Sequence, residues 1–197
     1  MTYKEYLQAL ISDEGLNTIT KVYHRVRNIP YGSTGNRNPQ LVCELNVGSC
    51  SGKHILLRDL LREVGQEAEV ITMFTYFNES TPVHDSYSTE LKELSSNFRI
   101  PDFHHYVRVK RRSNWINLDA TWHNATIPFG FTVNHDWDGE GDTKLASIAE
   151  QEYPNQEQLI DFKQHLVASL SNEQRNIRAR YFELVSDWIA QLSQERK

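Results

Sequence analysis

A cysteine stands between two Gly/Ser pairs in N-V-G-S-C-S-G-K-H, residues 46–54, just ahead of the apolar pattern I-L-L-R-D-L-L-R-E-V-G. A packing cysteine normally falls inside such a pattern, because free Cys behaves as a small hydrophobe. At a helix start, a thiol instead faces unpaired N–H groups and the positive end of the helix dipole, which favour thiolate. The Cys50 N–H is then a natural oxyanion donor, and Gly48 and Gly52 would let a substrate carbonyl approach the backbone closely. What such a thiol still needs is a base.

Two later stretches supply one. F-H-H-Y-V-R-V-K and W-I-N-L-D-A-T-W flank the turn R-R-S-N and read as a β-hairpin. Closing it with Lys110 opposite Trp115, or Arg111 opposite Asn114, gives the same register. Val109–Ile116, Val107–Leu118 and His105–Ala120 then oppose one another on an apolar face. Arg108–Asn117, Tyr106–Asp119 and His104–Thr121 lie on the other. His105 is therefore expected to be a satisfied structural histidine. His104 shares its face with Asp119 as a diagonal neighbour at roughly 7–8 Å, within reach of a side-chain hydrogen bond. Thiol, imidazole and carboxylate, in that chain order, are the parts of an acyl-transfer triad.

Other elements must position these three. The segment from about Cys50 to Val64 is predicted to be a helix with a broad apolar face, stopped by Gly65. A-E-V-I-T-M-F-T-Y-F reads as a strand. Two helices broken near Gly15 precede the loop Tyr31–Pro39. Residues 78–100 look like a polar insertion with a short helix over Thr89–Asn97. A Gly/Asp-rich loop, Asn134–Asp142, leads to two C-terminal helices.

The 197-residue length suits one domain, 1–197, and the net charge of −5 does not favour nucleic acid or an anionic membrane. The short basic run Lys110–Arg112 is expected to be a solvated hairpin tip. Only two cysteines, Cys43 and Cys50, are present, too few for a disulfide scaffold and wrongly spaced for a zinc ribbon or a thioredoxin motif. With no apolar leader and no run of membrane-spanning length, the expected setting is soluble, reduced and cytoplasmic.

These motifs together resemble the transglutaminase-like superfamily of papain-type thiol enzymes. The resemblance rests on G-S-C-S-G-K-H-I-L-L-R-D-L-L-R-E-V-G, then H-H-Y-V-R-V, then W-I-N-L-D-A-T-W, about residues 41–122. It places Cys50, His104 and Asp119 at the family's catalytic positions, with Tyr106, Trp115 and Thr121 at flanking ones. It implies an α+β, papain/transglutaminase-like fold: a cysteine-bearing helix packed on an antiparallel β-sheet, with flanking N- and C-terminal helices (the latter about 155–197). The implied chemistry is acyl transfer through a thioester, without a cofactor, on a protein, peptide or small amide. Glu44 stands where papain-like enzymes carry an oxyanion glutamine, leaving Asn46 or Gln40 as candidates. V-G-S-C in place of Arg-Gly-Gly-x-Cys argues against an arylamine acetyltransferase.

Rival readings remain. Cys50, His104 and Asp119 could ligate zinc with a water in the fourth position. His135–Asp142 has alternating carboxylates but lacks an EF-hand pattern, so a solvated turn is expected over a calcium site. Cys43 is expected to be buried, with a Cys43–Cys50 disulfide as the alternative. A non-catalytic binding or scaffold protein on the same fold is the second function class.

Overall fold

Polar caps place the helices that surround the thiol. The computed structural model describes residues 1–33, 35, 37–153, 155–156 and 158–194. Thr2 and Glu5 form a capping box at the start of α1 (Tyr3–Glu14), which Gly15 ends at φ 63°. Thr18 caps α2 (Ile19–Arg27), and Asn38 caps α3 (Pro39–Glu44) with proline in its first turn. α4 (Cys50–Glu63) begins on the cysteine itself; Ser49 occupies the cap position but makes no capping bond with its side chain.

Strands β1 (Ala68–Tyr76), β2 (Pro101–Arg111), β3 (Asn114–Leu118) and β4 (Gln151–Tyr153) form one antiparallel sheet in the order β3-β2-β1-β4. α4 packs on β1 and β2, with α1, α2 and α3 against it. The main core joins Leu56, Leu57, Leu60 and Leu61 of α4 to Val70, Val107, Val109 and Leu118 of the sheet. A second cluster unites Tyr31, Cys50, Phe77 and Trp122 with Tyr181, Phe182, Val185 and Trp188. Those last four belong to α7 (Asn172–Gln194), which follows α6 (Leu159–Ala168). Cys50 thus lies in the cluster built by the C-terminal helix, although its own helix fills the other core. The short helix α5 (Thr89–Asn97) packs against α7.

The expected elements are all present, with the mixed helix and antiparallel-sheet architecture that the motifs imply. The hairpin keeps its predicted register from Arg111↔Asn114 to Val107↔Leu118. Beyond Leu118 the pairing expected for Tyr106–Asp119, His105–Ala120 and His104–Thr121 does not form. The Asp119 N–H goes instead to Thr143 Oγ1 (2.8 Å) and the Ala120 N–H to His54 Nε2 (2.8 Å). The chain leaves the ladder because α4 and the 134–146 loop offer those donors better-placed partners. That loop is an anchored element: Trp137 packs edge-on against Tyr23, and the Asn117 N–H donates to Asp142 Oδ1. Its carboxylates do not converge. Asp138 accepts from the Glu140 N–H, and Glu140 pairs with Arg111 and Arg112.

The two glycines around Cys50 have a packing reason. A Cβ on Gly48 would come within 2.7 Å of Val42, and one on Gly52 also within 2.7 Å of Val42. They let α3 lie directly on the start of α4, which is not the substrate approach expected from the sequence. Gly52→Ala should therefore destabilise the fold by about 1–3 kcal/mol through overpacking. Val42→Ala in the same chain should recover part of that loss. Additive destabilisation in urea melts of the double variant would refute the contact.

Candidate active site

His104 and Asp119 meet although their strands have parted. His104 Nε2 lies 2.8 Å from Asp119 Oδ2, and both side chains are buried. Asp119 is held by more than its histidine. Thr121 N–H donates to Oδ1 (2.9 Å), Ala146 N–H donates to Oδ2 (2.8 Å), and the Tyr23 hydroxyl donates to the Asp119 carbonyl (2.9 Å). Backbone donors satisfy the carboxylate, so its orientation does not depend on the imidazole alone.

With Nε2 committed, Nδ1 is the ring nitrogen left for the thiol, and it has no hydrogen-bond partner among the described residues. Cys50 Sγ, a His104 ring nitrogen and an Asp102 carboxylate oxygen all lie within 4.8 Å of one another. His54, one turn along α4, braces the same corner. Its Nδ1 donates to the Cys50 carbonyl (2.8 Å) while its Nε2 accepts from Ala120, which fixes its tautomer.

Beside Arg178 of α7, three charged groups here escaped the sequence reading. Asp102, two residues before His104 on β2, forms ion pairs with Arg178 of α7 and Lys163 of α6 (3.8 Å). Lys163 Nζ donates to Ser51 Oγ (3.1 Å) and lies 3.7 Å from Cys50 Sγ. The third, Lys53 on α4, is wholly buried and donates to the carbonyls of Arg27, Ile29 and Thr121. It ties the end of α2 and the chain after β3 to the base of the site. Strand period would have found Asp102. Lys163 stands four residues after Leu159, on the apolar stripe of α6, where a charged residue needs a buried partner.

This charge pattern sets the protonation states. Burial alone would push the Cys50 thiol up, but the Lys163 ammonium and the His104 imidazole pull it down to about 6. Burial would lower His104, yet the Asp119 carboxylate, helped by Cys50, raises it to about 10. Asp119 is held well below the usual carboxylate range, chiefly by His104 against the cost of burial. Arg178 and Lys163 likewise hold Asp102 down at about 2, although burial opposes them. Thiolate is thus favoured above about 6 and imidazolium below about 10, so the ion pair spans neutral pH.

His105 is fully buried, with neither ring nitrogen hydrogen-bonded among the described residues. Burial, with the positive charges of Lys163 and His104 nearby, keeps it neutral. It is structural as expected, but packed rather than hydrogen-bonded. Cys43 and Cys50 are both free and buried, so the disulfide is absent. Gln40 is spent on Glu44 (2.8 Å), and neither Gln40 nor Asn46 is among the described residues around the thiol. The zinc set of the rival reading is not assembled: the third group beside Cys50 and His104 is Asp102, not Asp119. Asp102 already faces two cations, which oppose a divalent ion there.

Among the described residues, no helix is long and apolar enough to cross a membrane. The chain belongs to the transglutaminase-like superfamily, whose family model matches residues 4–120. That match takes in nearly all of α1, α2, the first two motifs and the third as far as Ala120, and so begins well before the resemblance read from about residue 41. A solved structure from Cytophaga hutchinsonii, described as a "putative cysteine protease", aligns with a TM-score of 0.41 and 20% identity. The alignment covers 60% of this chain and 37% of that one, so this chain matches well under half of its length. No curated protein matches.

Proposed function

We propose that this chain is a papain-like thiol enzyme that transfers an acyl group from an amide or peptide bond through a Cys50 thioester. The alignment of thiol, imidazole and carboxylate at the start of α4 carries this reading. The Cys50 thiolate attacks the carbonyl, and the Cys50 N–H, at the open end of the helix, is placed to donate to the developing oxyanion. The His104 imidazolium passes its proton to the leaving amine and, now neutral, activates the water or amine that releases the acyl group. Asp119 keeps the ring in register and stabilises its cationic form. The acyl donor is a protein, peptide or small amide. Free thiols at both cysteines fit a reducing, cytoplasmic setting.

One observation favours a non-catalytic binding protein instead. Cys50 is only 3% exposed, and the chamber beside it holds about 30 Å³, room for one water. Iodoacetamide labelling, followed by peptide mass spectrometry across pH, separates the readings. An active thiolate should label at Cys50 well before Cys43, with a rate that rises around pH 6. Turnover of an acyl-donor probe should fall again as pH rises through about 10, where His104 loses its proton. Preferential labelling of Cys43, or a Cys50 rate that rises only above pH ~8.5 as for an ordinary thiol, would favour the binding protein.

A further inference from the structure

We infer that the acyl donor is anionic, with a carboxylate or similar group a few bonds from the scissile carbonyl, bound by a cluster of cations at the mouth of the site. This inference rests on the thiol-enzyme reading and names the class of substrate. The chamber beside Cys50 and a larger cleft of about 450 Å³ share Arg37, Lys163 and Arg178 in their linings. Those three residues therefore stand between the cleft and the thiol. The cleft adds Arg175, and its other described lining residues, Gln164, Val167 and Ala168, carry no charge.

In a chain of net charge −5, four cations on one small cleft are a local excess. Inside, the charges balance: Lys163 and Arg178 face Asp102, and imidazolium faces thiolate and Asp119. Outside they do not. Arg175 is held by the carbonyls of Ala168 and Leu170 and the amide oxygen of Asn172, neutral groups that leave its charge uncompensated. No carboxylate lines the outer cleft among the described residues. Acylation sharpens the imbalance, because converting the thiolate to a neutral thioester removes a negative charge 3.7 Å from Lys163. A substrate carboxylate would restore it, and field lines from these cations would draw an anion toward the sulphur.

The test uses paired reagents that differ in charge. Iodoacetate and iodoacetamide both alkylate Cys50 by displacing iodide, so their rate ratio reports the potential at the thiol rather than its intrinsic reactivity. Expected is a ratio that falls about three- to tenfold in Arg37→Gln and in Arg175→Gln, and that falls between about 0.02 and 0.5 M salt in the unaltered protein. Arg112→Gln, at the distant hairpin tip, should leave the ratio unchanged. In a second arm, succinyl and butyryl thiophenyl esters acylate Cys50 with loss of thiophenolate, and the succinyl ester should react the faster. Rapid iodoacetamide labelling with a ratio indifferent to salt and to both arginine variants, or equal rates for the two esters, would overturn the anionic substrate and leave the thiol enzyme standing. Slow labelling by both reagents, with neither ester reacting, would overturn the thiol enzyme itself and this inference with it.

Discussion

Replacing His104 with glutamine should slow turnover of an acyl-donor probe by about three to five orders of magnitude while the protein still folds. Two losses multiply. Without the imidazolium, the Cys50 thiol returns toward its ordinary range near 8.5, and thiolate at neutral pH falls about ten- to thirtyfold. Lys163 remains and limits that rise. The lost proton transfer removes a further ~10²–10⁴ in rate. Glutamine is the informative change because its amide can still donate toward Asp119. Alanine would remove the hydrogen bond to the buried carboxylate as well as the charge, and so would confuse activity with stability. The neighbouring His105 is the control. Its ring is buried and unpartnered, so His105→Ala should lower stability by about 1–3 kcal/mol while Cys50 labelling stays within about twofold. Thermal melts beside alkylation rates decide between the two histidines, and the reverse pattern would place the base on the wrong residue.

Asp119→Asn should be nearly as damaging, and for both activity and stability. The carboxylate accepts from Thr121 N–H, Ala146 N–H and His104 at once. An amide has one oxygen and must turn an NH₂ toward one of these donors. A buried donor is then left unsatisfied, at about 1–3 kcal/mol, and the imidazolium loses its counter-charge. The His104 pKa falls from about 10 toward or below its ordinary value, narrowing the ion-pair window from above. In hydrolytic triads, losing the carboxylate in this way lowers kcat by about 10⁴. The pH profile provides a check that general destabilisation would not mimic: the high-pH limb of activity should move to lower pH. Coincident limbs in Asp119→Asn and the unaltered protein would reduce Asp119 to a structural residue.

The proposed triad was legible because each member sits in a local pattern with a short-range cause. Cys50 falls where an apolar period begins, and the alternation Val107, Val109, Ile116, Leu118 forces one hairpin register that separates His104 from His105. The reading stopped where long-range partners take over. Pairing beyond Leu118 was expected from the strand pattern alone, but His54 and Thr143 compete for the Ala120 and Asp119 N–H groups, and nothing near residue 119 announces them. Gly48 and Gly52 signalled correctly that space was short, yet Val42 fills that space. Asp102, Lys163 and Arg178 come from β2, α6 and α7. Lys163 was visible only as a charge on the apolar stripe of α6, and Asp102 only as one more polar residue on the face of His104; their meeting depends on how α6 and α7 fold back over β2.

That fold-back has a consequence for the order of assembly. The proposed nucleophile, base and orienting carboxylate all precede α6 in the chain, so the site is completed only when α6 and α7 dock on the part already made. Until Lys163 and Arg178 arrive, Asp102 is a bare negative charge within 4.8 Å of the Cys50 sulphur, and it raises the thiol's pKa. Before the two helices dock, the site lacks the largest of the charges that lower the thiol's pKa, that of Lys163. Arrival of the two cations turns the same carboxylate from an inhibitor of the thiolate into the anchor of the groups that stabilise it. The thiol would gain its full reactivity only with the helices that shield it already in place.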